Sequence, residues 1–126
     1  MPSKPSVLFC STNSPFGRRF NKVAHRLKCE PAFVTNTEAA WKLILNGHFD
    51  LIICDHQEGQ LDGLALLQQV KGNETTAIIP FVLYTSNKDG DVVSAVAAQG
   101  GAFVPQGTDD QWDKLLPQWL KLPSAA

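Results

Sequence analysis

Asp55 closes the apolar run Leu51-Ile52-Ile53-Cys54 and opens a polar stretch that ends in Leu61-Asp62-Gly63. Four consecutive apolar residues between turn signals read as a buried strand, and a carboxylate at its end is expensive to bury without partners. Such an acid either caps the turn that follows it or is held in place for chemistry. Its company would come from other strand ends. Ser11, Thr12, Thr85 and Gln106 carry hydroxyls and an amide able to hydrogen-bond a carboxylate without a metal. Glu58 and Asp62, in the loop after Asp55, are the further carboxylates available to a hard cation. A second group with chemical potential is Cys10-Ser11-Thr12-Asn13, where a strand ends in a thiol and runs into hydroxyls.

The elements that position these residues alternate in type. Strands are expected at Ser6–Cys10, Ala32–Thr35, Asp50–Cys54, Ile78–Tyr84 and Ala102–Pro105. Between them lie amphipathic segments: Pro15–Lys28, a helix capped by Thr37 and stopped at Gly47, Leu64–Lys71 ended by Gly72, Asp89–Gln99, and Asp109–Leu122 with Pro117 kinking it. Strict alternation with right-handed crossovers predicts an α/β fold, a doubly wound five-stranded parallel sheet with helices on both faces. Ligands of such sheets bind outside the carboxyl ends of the strands, which is where Ser11, Asp55, Thr85 and Gln106 fall.

Composition narrows the function classes. The chain has 126 residues, 44% of them hydrophobic, which is one domain over residues 1–126 with enough chain for a core. Eleven basic residues against twelve acidic ones argue for neither a nucleic-acid nor a membrane-surface partner. No apolar run approaches a membrane span, and MPSKPSVLFC is too short and polar for a signal peptide. Three cysteines without a CxxC pair fit a reducing compartment, so a cytoplasmic protein is expected.

The strand ends together carry a resemblance. An apolar strand ending in Asp55, Leu61-Asp62-Gly63 seven residues on, Thr85-Ser86 after the fourth strand and Phe103 in the fifth resemble the receiver domain of bacterial response regulators. The resemblance spans essentially the whole chain and implies the flavodoxin-like strand order 2-1-3-4-5. It implies that Asp55 stands at the phosphoacceptor position, and Thr85 and Phe103 at the switch positions. Gln57 stands where a backbone carbonyl helps hold Mg²⁺. Three departures accompany it. Ser11 and Thr12 replace the acid pair that binds Mg²⁺ in receivers, Gln106-Gly107 replaces Lys-Pro, and Glu58-Gly59 replaces Met-Pro. Hydroxyls are poor substitutes for carboxylates around a hard cation, and loss of the Lys removes a second positive charge from the transferring phosphoryl group. The resemblance therefore implies a two-component or phosphorelay signalling module with a degenerate site and weak Mg²⁺ binding, not an enzyme. Its partners would be a histidine kinase or phosphotransfer protein, an output protein, or a second copy docked through helix four, strand five and helix five.

Other readings compete. Val7-Leu8-Phe9-Cys10-Ser11-Thr12 looks like the start of a phosphocysteine carrier of the sugar phosphotransferase type. Its loop, however, lacks the glycines that wrap amides round a phosphate, the first being Gly17. A flavin-binding reading shares the sheet but leaves little chain for the loops that would hold the ring. Cys10 and Cys54 fall near the ends of neighbouring strands, where a redox pair competes with ordinary small core residues. Arg18, Lys22 and Arg26 form a basic stripe at i, i+4 spacing, and Val92 to Thr108 carry no charge. Each is a candidate partner surface set against a plain solvated or self-covered helix.

Overall fold

Every side chain of the central strand is apolar, so the strand needs cover on both faces and a paired neighbour on both edges. In the computed structural model, which describes residues 5–11, 14–55, 62–85 and 90–105, that strand is β3 (Leu51–Cys54), buried at all four positions. It lies between β1 (Ser6–Cys10) and β4 (Phe81–Thr85), with β2 (Glu30–Val34) beyond β1 and β5 (Ala102–Pro105) beyond β4. All four pairings are parallel and the order is β2-β1-β3-β4-β5, the doubly wound sheet expected from the alternation.

The two-residue period of the strands divides the core into two layers. Val7, Phe9, Leu51, Ile53, Val82 and Tyr84 face α1 (Ser14–Arg26), which contributes Phe20, Val23 and Ala24. The Phe9 and Phe20 rings stack at 4.6 Å between centroids and fasten the helix to the sheet. Leu8, Cys10, Ile52, Cys54, Phe81 and Leu83 face α2 (Thr37–Asn46), α3 (Gly63–Lys71) and α4 (Gly90–Ala98), which bring Ala40, Ile44, Leu66, Leu67, Val70 and Val96. Each fully buried large side chain contributes about 2 kcal/mol of transfer free energy. Arg18, Lys22 and Arg26 are exposed, as the basic stripe required. The expected helix over 109–122 lies outside the described residues.

Several element ends differ from expectation, each for a local reason. Strand β2 starts at Glu30, whose N–H donates to the Pro5 carbonyl at 2.8 Å. Helix α2 is capped by Asn36, not Thr37: Asn36 has the extended backbone a cap needs, and its Oδ1 accepts from the Ala39 N–H at 2.8 Å. Strand β4 begins at Phe81, three residues later than expected from Ile78. The preceding segment is turned, with the Thr76 and Ala77 amides donating to the Asn73 carbonyl at 3.1 and 2.8 Å. Lys71 Nζ donates to the carbonyls of Ala77 and Ile79 at 3.0 Å each, and Pro80 has no N–H to give a ladder. Ile78 is left 86% exposed.

Helix α1 stops at Arg26 rather than Lys28. The Cys29 N–H donates to the Ala24 carbonyl at 2.8 Å and the Lys28 N–H to the His25 carbonyl at 3.1 Å, the paired bonds of a Schellman end. Lys28 occupies the left-handed position usually given to glycine, with φ at 61°. Lys28→Gly should therefore raise the unfolding free energy by about 1 kcal/mol in urea titrations, whereas Lys28→Ala, which keeps a Cβ, gives no comparable gain.

Candidate functional site

Parallel strands deliver all their carboxyl ends to one edge, and the change of direction between β1 and β3 marks where sheets of this kind bind their ligands. Cys10 is the register partner of Cys54, so the next residues on the two strands, Ser11 and Asp55, stand side by side. The Asp55 N–H donates to the Cys10 carbonyl at 2.8 Å, and the Ser11 N–H donates to the Val34 carbonyl at 3.0 Å. Asp55 is 1% exposed and Ser11 half-buried. Leu83 pairs with Cys54, which brings the backbone of Thr85 to the same edge, where it pairs with Pro105. Phe103 pairs with Leu83 and packs, half-buried, against the core layer that contains Cys54. Ser11, Asp55 and Thr85 thus share one end of the sheet. Thr12, Gln57, Glu58 and Gln106 lie outside the described residues.

The Asp62-Gly63 pair forms the support beneath Asp55. Asp62 is the N-cap of α3, its Oδ1 accepting from the Ala65 N–H at 3.0 Å. Its own N–H donates to Thr37 Oγ1 at 2.9 Å, which ties the start of α3 to the start of α2. Gly63 is buried so closely that a Cβ there would lie 2.8 Å from the Asp55 carbonyl oxygen and would also strike the Leu83 side chain. The bond from Asp62 to Thr37 escaped the sequence reading because it joins residues 25 apart, whereas an Asp before an apolar helical run is a recognisable cap signal.

Mg²⁺ does not fit the described part of this edge. Asp62 is committed to its cap, Ser11 offers a neutral hydroxyl, and among the described residues no three His, Cys, Asp or Glu side chains gather as metal ligands. Besides the capping Asp62, Asp55 is the one carboxylate the described residues bring to this edge, at the low end of what Mg²⁺ usually takes from a protein.

Beneath Asp55 lie two thiols. Cys54 Sγ donates to the Asp55 carbonyl at 3.2 Å, and both Cys10 and Cys54 are fully buried. The Cys54 thiol is pushed well above the ordinary cysteine range, first by its hydrogen bond with Cys10, then by burial, with the charges of Asp55 and Asp62 adding to it. Cys10 is sealed in the core layer, which gives no support to a nucleophile presented to a phosphate donor. A separate cavity of about 280 Å³ lies at the opposite end of the strands, lined by Ile44, Phe49, Asp50, Ile79 and Pro80 among others.

Two measurements test this geometry. Gly63→Ala should cost about 2 kcal/mol in urea unfolding, because the neighbouring Asp55 carbonyl is backbone and cannot step aside as a side-chain tip can. The raised thiol also makes stability pH-dependent. Cys54 stays protonated in the fold after the unfolded chain has begun to ionise, so its contribution is complete below about pH 8.5 and is lost as pH rises from there toward the folded value. The unfolding free energy should fall above about pH 8.5, and the Cys54→Ala variant should show a shallower fall.

No protein-family model matches the chain, and no curated protein matches it in sequence. Solved structures match over nearly its full length. The Mn²⁺-bound form of the response regulator Rcp1 superposes with a TM-score of 0.85 at 18% identity, covering 97% of this chain and 99% of that one. The phosphorylated cyanobacterial phytochrome response regulator RcpA gives 0.84 at 15% identity, covering 96% and 97%. The signal receiver domain of a signal transduction histidine kinase from Syntrophus aciditrophicus gives 0.82 at 20% identity, covering 97% and 95%. At these identities the likeness is one of architecture. The chain has the receiver fold of response regulators, as the residues at its strand ends implied.

Proposed function

We propose that this chain is a divergent receiver domain of two-component or phosphorelay signalling, working by protein–protein contact around a degenerate phosphorylation site. The observation that carries the reading is the position of Asp55. It is a buried carboxylate at the end of the central strand of a receiver fold, backbone-paired to β1, with the neutral Ser11 beside it. Phosphoryl transfer to a carboxylate depends on cations that neutralise the transferring group. Ser11 and Thr12 replace the acid pair and Gln106 replaces the Lys, so the ancestral machinery is reduced to its acceptor.

In this reading the output is binding. The partners are a histidine kinase or phosphotransfer protein, an output protein, or a second copy. The face formed by α4 and β5 supports the last two: after Asp91 it is uncharged, with Ser94, Ala97 and Ala98 exposed and Val92 and Val93 half-buried. Such a surface is desolvated at low cost.

Intact mass after incubation with acetyl phosphate and Mg²⁺ tests the proposal. The wild-type protein is expected to gain no phosphoryl group. The triple variant Ser11→Asp, Thr12→Asp, Gln106→Lys is expected to gain one, about 80 Da, and to lose that gain when Asp55→Asn is added. A wild-type gain at Asp55 would overturn the degenerate-site reading. A folded triple variant that stays unmodified would overturn the assignment of Asp55 as an acceptor position.

A further inference from the structure

We propose that Cys10 and Cys54 form a cross-strand dithiol that hydrogen peroxide converts to an intramolecular disulfide, placing a redox modification site directly beneath Asp55. Three observations converge on it. The two residues are register partners on adjacent parallel strands. Both side chains enter the same core layer, between the sheet and α2 to α4. Cys10 is also the leading influence on the Cys54 thiol, which is raised first by it and then by burial. Neighbouring strands run about 4.8 Å apart, inside the range of roughly 4.4–6.8 Å between Cα atoms that disulfides span. Cys29 belongs to the opposite core layer, so the sheet itself separates it from the pair.

The chemistry balances with peroxide as the sole co-reactant. One sulfur, as thiolate, attacks an oxygen of the peroxide; an S–O bond forms, the O–O bond breaks, and the departing hydroxide leaves as water after taking a proton. The second sulfur attacks the resulting sulfenic acid; the S–S bond forms, the S–O bond breaks, and a second water leaves. Two thiols are oxidised and one peroxide is reduced to two waters. Complete burial admits only a small oxidant, and only during local opening of the strand ends. Burial and the raised thiol both make the reaction slow near neutral pH and faster as pH rises. Because the Asp55 N–H is bonded to the Cys10 carbonyl, closing the disulfide draws on the same backbone that holds Asp55.

The test is oxidation of the folded protein by hydrogen peroxide, followed by alkylation in denaturant, intact mass and tryptic mapping. Lys28 and Lys42 place the three cysteines in three different tryptic peptides. The expected result is a loss of about 2 Da with Cys10 and Cys54 peptides linked, the same loss in Cys29→Ser, and no specific linkage when oxidation is carried out in urea. A shift of the Asp55 amide NMR signal should accompany the mass change. Linkage through Cys29, oxygen added to Cys10 or Cys54 without a link, or both thiols remaining alkylatable would each overturn the proposal. The wild-type peptide map is decisive even where Cys10→Ala or Cys54→Ala fails to fold. None of these outcomes depends on whether Asp55 accepts phosphate.

Discussion

The hydrogen bond from the Asp55 N–H to the Cys10 carbonyl joins β3 to β1 at the site, and the arrangement of the site depends on it. Register in a buried sheet is strongly specified, because a slip of one residue sends every side chain to the opposite face. Here such a slip would exchange Leu51 and Ile53 with Ile52 and Cys54 between layers that are both filled. The register that satisfies both layers is the one that places Asp55 beside Ser11 and Cys54 opposite Cys10. Core packing and site geometry are therefore one constraint.

A second constraint comes from α3. Its N-terminus must approach the end of β3 closely enough that only glycine fits at position 63, and Asp62 must cap it there. The Asp62 N–H then reaches Thr37 on α2, so two helices and the central strand meet within one short segment. The Asp and Gly after Leu61 have enough structural work to explain their presence whether or not a phosphoryl group ever reaches Asp55. This matters for reading receiver-like sequences, since such a motif attests to the fold more directly than to the chemistry.

Loss of charged neighbours changes the electrostatics of the edge. With a neutral Ser11 next to it, Asp55 meets less like-charge repulsion than it would beside acids, and needs no cation on that account. Two buried thiols lie immediately beneath the acid.

The sequence by itself determined the doubly wound parallel sheet and the end at which Asp55, Ser11 and Thr85 meet, because apolar runs of strand length and helical periods between them admit few topologies, while the strand order followed from the resemblance of the strand-end residues to receivers. It was misleading where local composition and local bonding disagree. Ile78 and Ile79 have strand-forming side chains, yet the Ile79 N–H donates to the Thr76 carbonyl, the Lys71 amine takes the Ile79 carbonyl, and Pro80 has no N–H to give. Thr37 is a good cap residue, but Asn36 has the cap and Thr37 serves Asp62. Only the tertiary structure decided these matters, together with the contact of Cys10 with Cys54 and the closeness of Gly63 to Asp55. The bond of Asp62 to Thr37 and the pairing of Cys10 with Cys54 join residues far apart in the chain, and the free energy that selects such contacts comes from packing and desolvation rather than from any propensity of the residues themselves.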